Sequence, residues 1–238
     1  MRADEGFKKT GTIWREKSPV RDRIVANVTN RLEAEYGRPR FGNPSNPLGD
    51  LIYIVISNKT SPVSAQATYR RLRRRFKTWD AILNAPVSAL RSILKPAGLS
   101  QKKAKYIRAT LQKIRDDFGS CNLRSLRKVA ANNAEDYLIT LPGVSNKVAK
   151  CVLMYTLDAP VLPVDSHVHR VARRLGWTER RRADQCHEEL EALVPPSKRH
   201  AFHVDCIAHG RLICRPSSPI CTKCCIKRYC AYFKGRQK

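Results

Sequence analysis

Cys214, Cys221, Cys224 and Cys230 stand in the order Cys-x6-Cys-x2-Cys-x5-Cys near the end of the chain. Disulfide stitching, metal ligation and thiol redox chemistry each demand a different spacing. A structural zinc site commonly shows two Cys-x2-Cys knuckles, and only one is present, so zinc fits poorly. Four thiolates this close together suit a cubane iron–sulfur cluster, an object larger than a single ion. Cys225 directly follows Cys224 and competes with it as a ligand on sequence alone. Cys121, Cys151, Cys186 and Cys206 have no partner at ligand spacing and read as ordinary small buried or half-buried residues.

A second group of residues suits chemistry on an anion. In "YLITLPGVSNKVAKCVLMYTL", residues 137–157, a short apolar helix runs into Pro-Gly and a second helix begins a few residues later. Apolar residues at 148, 151, 152 and 155 make that second helix amphipathic. A tight glycine turn opening a helix leaves backbone N–H groups pointing outward, and with the helix dipole these form a site for a phosphate. Lys147 lies in the first turn of this helix. Its plainer reading is an exposed lysine; its chemical reading is an amine nucleophile, which must be neutral, and a helix start disfavours the cation. Further on, in "VLPVDSHVHRVARRLGW", Asp165 stands where a helix begins and reads first as its N-cap.

The elements that must position these groups read as helices. Apolar residues at 48, 51, 52, 55 and 56 have helical spacing, although that β-branched run also fits a buried strand. The same spacing recurs in "AQATYRRLRRRF", "VSALRSILK" and "KKAKYIRATLQKIRDDFG", with Gly and Pro as punctuation. There is no βαβ rhythm, so an all-α architecture is expected. Residues 1–46 are charged and polar and end in a turn-rich string. The basic run 69–77 reads better as a solvated helix face than as a DNA contact.

Composition sets the class of partner. The 238 residues carry 46 Lys and Arg against 20 Asp and Glu, a formal charge of +26 with a pI near 10.2, which points to a polyanion such as nucleic acid. A hydrophobic fraction of 42 % is enough for real cores and argues against disorder. No stretch approaches the ~18 apolar residues of a membrane span, and the first residues lack the apolar core of a secretion signal. A reducing, intracellular location with DNA is expected, in cytoplasm, nucleoid or nucleus, without a membrane partner.

"LPGVSNKVA" resembles the helix-hairpin-helix signature of the endonuclease III superfamily of DNA glycosylases, usually L-P-G-V-G-x-K-T-A. The resemblance puts Lys147 on the lysine that attacks the sugar and Gly143 on the first hairpin glycine. Ser145 stands where the second glycine is usual, and Val148 where threonine is usual. "VDSHVHRV" is similar to the family's second catalytic stretch, V-D-x-H-V-x-R-V, which implies that Asp165 is the essential aspartate. His167 lies in the same motif, as a hydrogen-bonding residue before an acid or base. The cysteine spacing is similar to the family's 4Fe-4S loop; it selects Cys224 over Cys225. Lys223, Lys227 and Arg228 inside the loop suggest that the cluster scaffolds a basic DNA-facing surface. In "ISNKTSPVSAQAT", Asn58 and Lys59 replace the usual Ala-Gln pair, whose glutamine fills the gap left by the flipped base.

The resemblance implies an all-α, two-domain helix-hairpin-helix glycosylase fold with a C-terminal iron–sulfur cluster loop. Residues 1–43 would join 160–238 in the cluster-bearing helical domain, and 44–159 would form a six-helix domain with the hairpin. The DNA would lie in the cleft, with the target base flipped out of the stack. The expected partner is double-stranded DNA with a damaged or mismatched base, contacted by Asn58, Lys59, Gly143, Ser145 and His167 of a monomer. The expected function is a base-excision glycosylase with abasic-site lyase activity on oxidised pyrimidines. Two alternatives stand beside it: a glycosylase for mismatched or other modified bases, and a catalytically silent DNA-binding protein that keeps hairpin and cluster.

Overall fold

Three helices of this chain begin where a short polar residue precedes a proline. The computed structural model describes residues 18–236. Ser18 caps α1 (Pro19–Tyr36), the first helix among the described residues, through Oγ at 3.2 Å from the Arg21 amide, and Gly37 ends it with φ 65°. Asn46 caps α2 (Pro47–Ser57) with Oδ1 at 2.7 Å from the Gly49 amide. Ser61 and Thr78 cap α3 (Pro62–Arg75) and α4 (Trp79–Asn84) in the same way. In each case the side-chain oxygen takes up one of the helix's unpaired first-turn donors.

The chain continues through α5 (Val87–Leu94), a 3₁₀ turn (Lys95–Ala97), α6 (Ser100–Phe118), a second 3₁₀ turn (Arg124–Lys128), α7 (Ala131–Ile139) and α8 (Asn146–Thr156). After an extended stretch come α9 (Ser166–Leu175), α10 (His187–Leu193), α11 (Pro196–Leu212), the cysteine loop and α12 (Ala231–Gly235). Among the described residues there is no strand, and no helix is long and apolar enough to cross a membrane. The β-branched run of α2 is helical because it is central: every residue from Pro47 to Ile56 is buried. A helix apolar on all sides sits in the middle of its unit, and α2 packs against α3, α6 and α8.

The chain divides into two units. Phe41–Ala159 carries α2 to α8. The other unit joins the described part of Met1–Arg40 to that of Pro160–Lys238. In it α11 packs on α1 and α9. Its core holds Val25, Val28 and Leu32 of α1 with Val168, Val171 and Leu175 of α9, and Trp177 stacks on Phe202 at 5.4 Å. Residues 19–36, read from sequence only as charged and polar, are a helix. Its buried apolar residues Val25, Val28 and Leu32 line one stripe among charges, too sparse a pattern to see without the partner that buries them.

Candidate functional site

The hairpin between α7 and α8 is shaped by one glycine. Gly143 has φ 81°, and a Cβ built on it would lie 2.5 Å from the Tyr106 ring, so both the turn and its neighbour require the missing side chain. Thr110 Oγ1 donates to the Pro142 carbonyl at 2.9 Å and fixes the turn to α6. Glu135 of α7 and Lys150 of α8 form an ion pair at 3.2 Å that closes the two arms. Ser145 has φ −99° and ψ 167°, extended backbone that any residue adopts. It is exposed and its hydroxyl does not cap α8, so the backbone of the turn does not require a glycine at this position and the helix's first amides are left for another acceptor.

Lys147 sits half-buried in the first turn of α8. Asp50, in the first turn of α2, lies within electrostatic reach of it. Asp50 is fully buried; Asn43 Nδ2 donates to its Oδ1 at 2.6 Å, and its Oδ2 has no hydrogen-bond partner. Burial pushes the Asp50 carboxyl up to about 7, against the pull of the Asn43 hydrogen bond and of Lys147. Sequence reading missed this residue, because a lone Asp in an apolar run reads as a helix-start acid; its only signal was a charge inside a stretch otherwise buried.

Asn58 and Lys59 form the exposed turn after α2, and Lys59 adopts φ 53°, unusual for a residue with a side chain. A second exposed turn stands beside it, joined through Thr60 Oγ1, which donates to the Ala97 carbonyl at 2.6 Å. That turn ends in Leu99, 55 % exposed with φ 49°. Leu99 is a further candidate contact residue that the sequence did not single out, since an exposed leucine is distinguishable from a core one only when its neighbours are known.

In the other unit Asp165 caps α9: Oδ1 accepts from the amides of His167 and Val168, each at 2.8 Å. The carboxylate is held in one orientation at the positive end of the helix, where its ionised form is favoured. His167 Nδ1 accepts from Arg170 at 3.0 Å, and burial holds this imidazole below its ordinary pKa, so it serves as a neutral acceptor. Arg170 also donates to the carbonyls of Gly210 at 2.9 Å and Cys214 at 2.7 Å, tying α9 to the end of α11 and the start of the cysteine loop.

Cys214, Cys221, Cys224 and Cys230 line one pocket together with Arg174, Ile213, Pro219, Lys227, Tyr232 and Phe233; Cys225 is not part of its wall. Arg174 donates to Cys214 Sγ at 3.2 Å, and Cys230 Sγ lies 3.2 Å from the Arg174 carbonyl. His209 Nε2 is 3.6 Å from Cys224 Sγ, and its Nδ1 meets the Tyr36 hydroxyl at 2.8 Å. Among the described residues no three His, Cys, Asp or Glu side chains converge as they would on one ion. Four thiols around one largely apolar wall, with an arginine N–H on one sulfur, are compatible with an iron–sulfur cluster. Burial pushes Cys224 up to about 12. Cys121, Cys151, Cys186 and Cys206 are all buried. Lys223, Lys227 and Arg228 are exposed on the loop, and so are Arg70, Arg71, Arg74 and Arg75 on α3.

With this geometry in place, the profile of the HhH-GPD superfamily base excision DNA repair proteins matches residues 52–196. The chain belongs to this superfamily. It is 29 % identical over 200 residues to the endonuclease III of Thermotoga maritima, covering 84 % of this chain and 90 % of that one. The HhH-GPD fold is shared with the protein in the structure of a non-covalent endonuclease III–DNA complex, at TM-score 0.79 and 24 % identity over 91 % of this chain and 98 % of that chain. A thermostable thymine-DNA glycosylase has the same fold at TM-score 0.74 and 22 % identity, over 90 % of this chain and 96 % of that chain. The HhH-GPD match spans α2 to α10 and therefore includes the hairpin, Lys147 and Asp165. The protein is an endonuclease III-like base-excision glycosylase of this superfamily.

Proposed function

We propose that the protein is a bifunctional DNA glycosylase and abasic-site lyase acting on oxidised pyrimidines in double-stranded DNA, with Lys147 as nucleophile and Asp165 as the carboxylate of the reaction. The observation that carries this reading is Lys147 in the first turn of α8, behind a turn that only Gly143 permits. The hairpin amides bind a phosphate of the DNA backbone and set the sugar against the amine. The neutral Lys147 amine attacks C1′; the base leaves with the electron pair of the glycosidic bond and is protonated, while the amine nitrogen loses a proton. Ring opening gives a Schiff base, loss of a C2′ proton follows, and the 3′ phosphate departs with the C3′–O electrons. Asp165, kept ionised and oriented by its two amide bonds, stabilises positive charge developing on the sugar as the base departs.

Cys214, Cys221, Cys224 and Cys230 would hold a 4Fe-4S cluster, whose contribution is to cross-link and shape a basic surface for the DNA. Asn58 and Lys59 would fill the gap left by the extruded base, with His167 supporting the Asp165 helix through Arg170. Their departure from the usual Ala-Gln pair favours a second reading of the same chemistry, a glycosylase for mismatched or otherwise modified bases. The test is borohydride trapping on duplexes with single defined lesions or mismatches: the lesion that yields a covalent adduct names the substrate. Lys147→Gln must abolish the adduct while binding persists. If no lesion or mismatch gives base release or an adduct, the chain is a DNA-binding protein without this activity.

A further inference from the structure

Lys103 is 4 % exposed, yet it carries a charge at the start of α6. Its Nζ donates to the Ile56 carbonyl at 2.7 Å, to Thr60 Oγ1 at 2.7 Å and to the Ala97 carbonyl at 2.8 Å. An ammonium has three N–H donors, and three acceptors meet it. The Ile56 carbonyl belongs to the last turn of α2, where the helix dipole favours a cation. Burial lowers the Lys103 ammonium to about 8, so a water-exposed position would suit this residue better unless the three acceptors need it.

Those acceptors flank the two exposed turns. Ile56 and Thr60 bracket Asn58–Lys59; Ala97 precedes Gly98–Leu99. Ser64 Oγ adds a parallel tie to the Pro96 carbonyl at 2.7 Å. Lys59 and Leu99 both hold left-handed backbone, which residues with side chains keep only when the surroundings enforce it. The Lys103 ammonium ties both turns together with Thr60 Oγ1, which accepts from it and donates to the Ala97 carbonyl. A leucine and a lysine stem at one edge suit a gap in a base stack: apolar surface for the neighbouring rings, and a charge for the backbone beyond.

We propose that Lys103 is a positioning residue that locks the Asn58–Lys59 and Gly98–Leu99 turns into one two-pronged edge, and that this rigidity sets the preference for a duplex lacking a base over an intact one. The inference rests on the glycosylase reading. Lys103 itself touches no DNA.

The test measures affinity for two duplexes, one intact and one with a central tetrahydrofuran abasic analogue, by fluorescence anisotropy at fixed salt. Lys103→Met should lower the preference for the abasic duplex about tenfold while intact-duplex affinity changes by less than about threefold, because non-specific binding comes from surface charge. Thr60→Val should act in the same direction and Thr60→Ser should restore the parent value. Leu99→Ala should cost about tenfold in the parent and under about twofold beside Lys103→Met, the non-additivity expected of coupled residues. Equal Leu99→Ala costs in both backgrounds, or an unchanged preference in Lys103→Met, overturns the inference. Should Lys103→Met not fold, the Thr60→Val and Thr60→Ser pair decides: equal preferences overturn it. A parent that gives borohydride adducts on a natural abasic site while these variants behave like it defeats this inference alone; a parent with neither adduct nor preference defeats the glycosylase reading with it.

Discussion

Gly143 packs closely against Tyr106, with only 2.5 Å between the ring and the place where a Cβ would stand. With φ 81° the position is also one that alanine avoids. Gly143→Ala should therefore destabilise the protein by about 2–4 kcal/mol through strain and overpacking together. Urea unfolding measures it, and adding Tyr106→Ala should return part of the loss; no return would place the whole cost in the backbone.

Asp165 caps α9, and the proposed reaction gives the same carboxylate a second task. Asparagine retains an oxygen for the His167 and Val168 amides, so Asp165→Asn should fold and bind DNA like the parent. Turnover should fall by on the order of 10² or more, the scale of losing one well-placed electrostatic contact. Single-turnover kinetics on a trapped lesion reads this directly, and a merely twofold change would leave the residue as a cap.

Asp50 gives a stability signature with a defined sign. Its folded value of about 7 lies above the ordinary aspartate value near 3.9, so the native state holds a proton that the unfolded chain has released. Its contribution to stability therefore falls as pH rises between about 4 and 7 and stays at its lowest above that. Asp50→Asn keeps an acceptor for Asn43 and removes the titration. The Tm difference between variant and parent should grow in the variant's favour from pH 5 to pH 8; a constant difference would mean that Asp50 is ionised throughout.

The cysteine cavity predicts a brown protein with about four irons per chain. Cys214→Ala and Cys230→Ala should lose iron and DNA affinity, whereas Cys225→Ala, outside the cavity wall, should keep both. Stoichiometric zinc without iron after anaerobic purification would overturn the cluster assignment.

The charge of +26 predicts binding to undamaged duplex that weakens steeply with salt. If about five phosphates are neutralised, the log–log slope should be near −4 to −5. A flat response would remove the exposed arginines and lysines from the DNA face.

Spacing alone determined the elements whose chemistry is local. The cysteine intervals, the Pro-Gly hairpin with its following helix, and the Asp165 cap all depend on residues within a turn or two of each other, and covalent connectivity fixes such distances. Helices α3, α5, α6 and α8 were legible because their apolar stripes recur at helical period. The β-branched run of α2 remained open between helix and strand until its neighbours showed it buried on every side. Helix α1 was hidden because its few apolar residues gain meaning only from α9 and α11, far away in the chain. The three acceptors of Lys103 belong to two turns dozens of residues apart, and the Asp50–Lys147 proximity arises from α2 packing on α8. Burial of a charge and convergence of acceptors are properties of packing between segments, so only the tertiary structure could decide them.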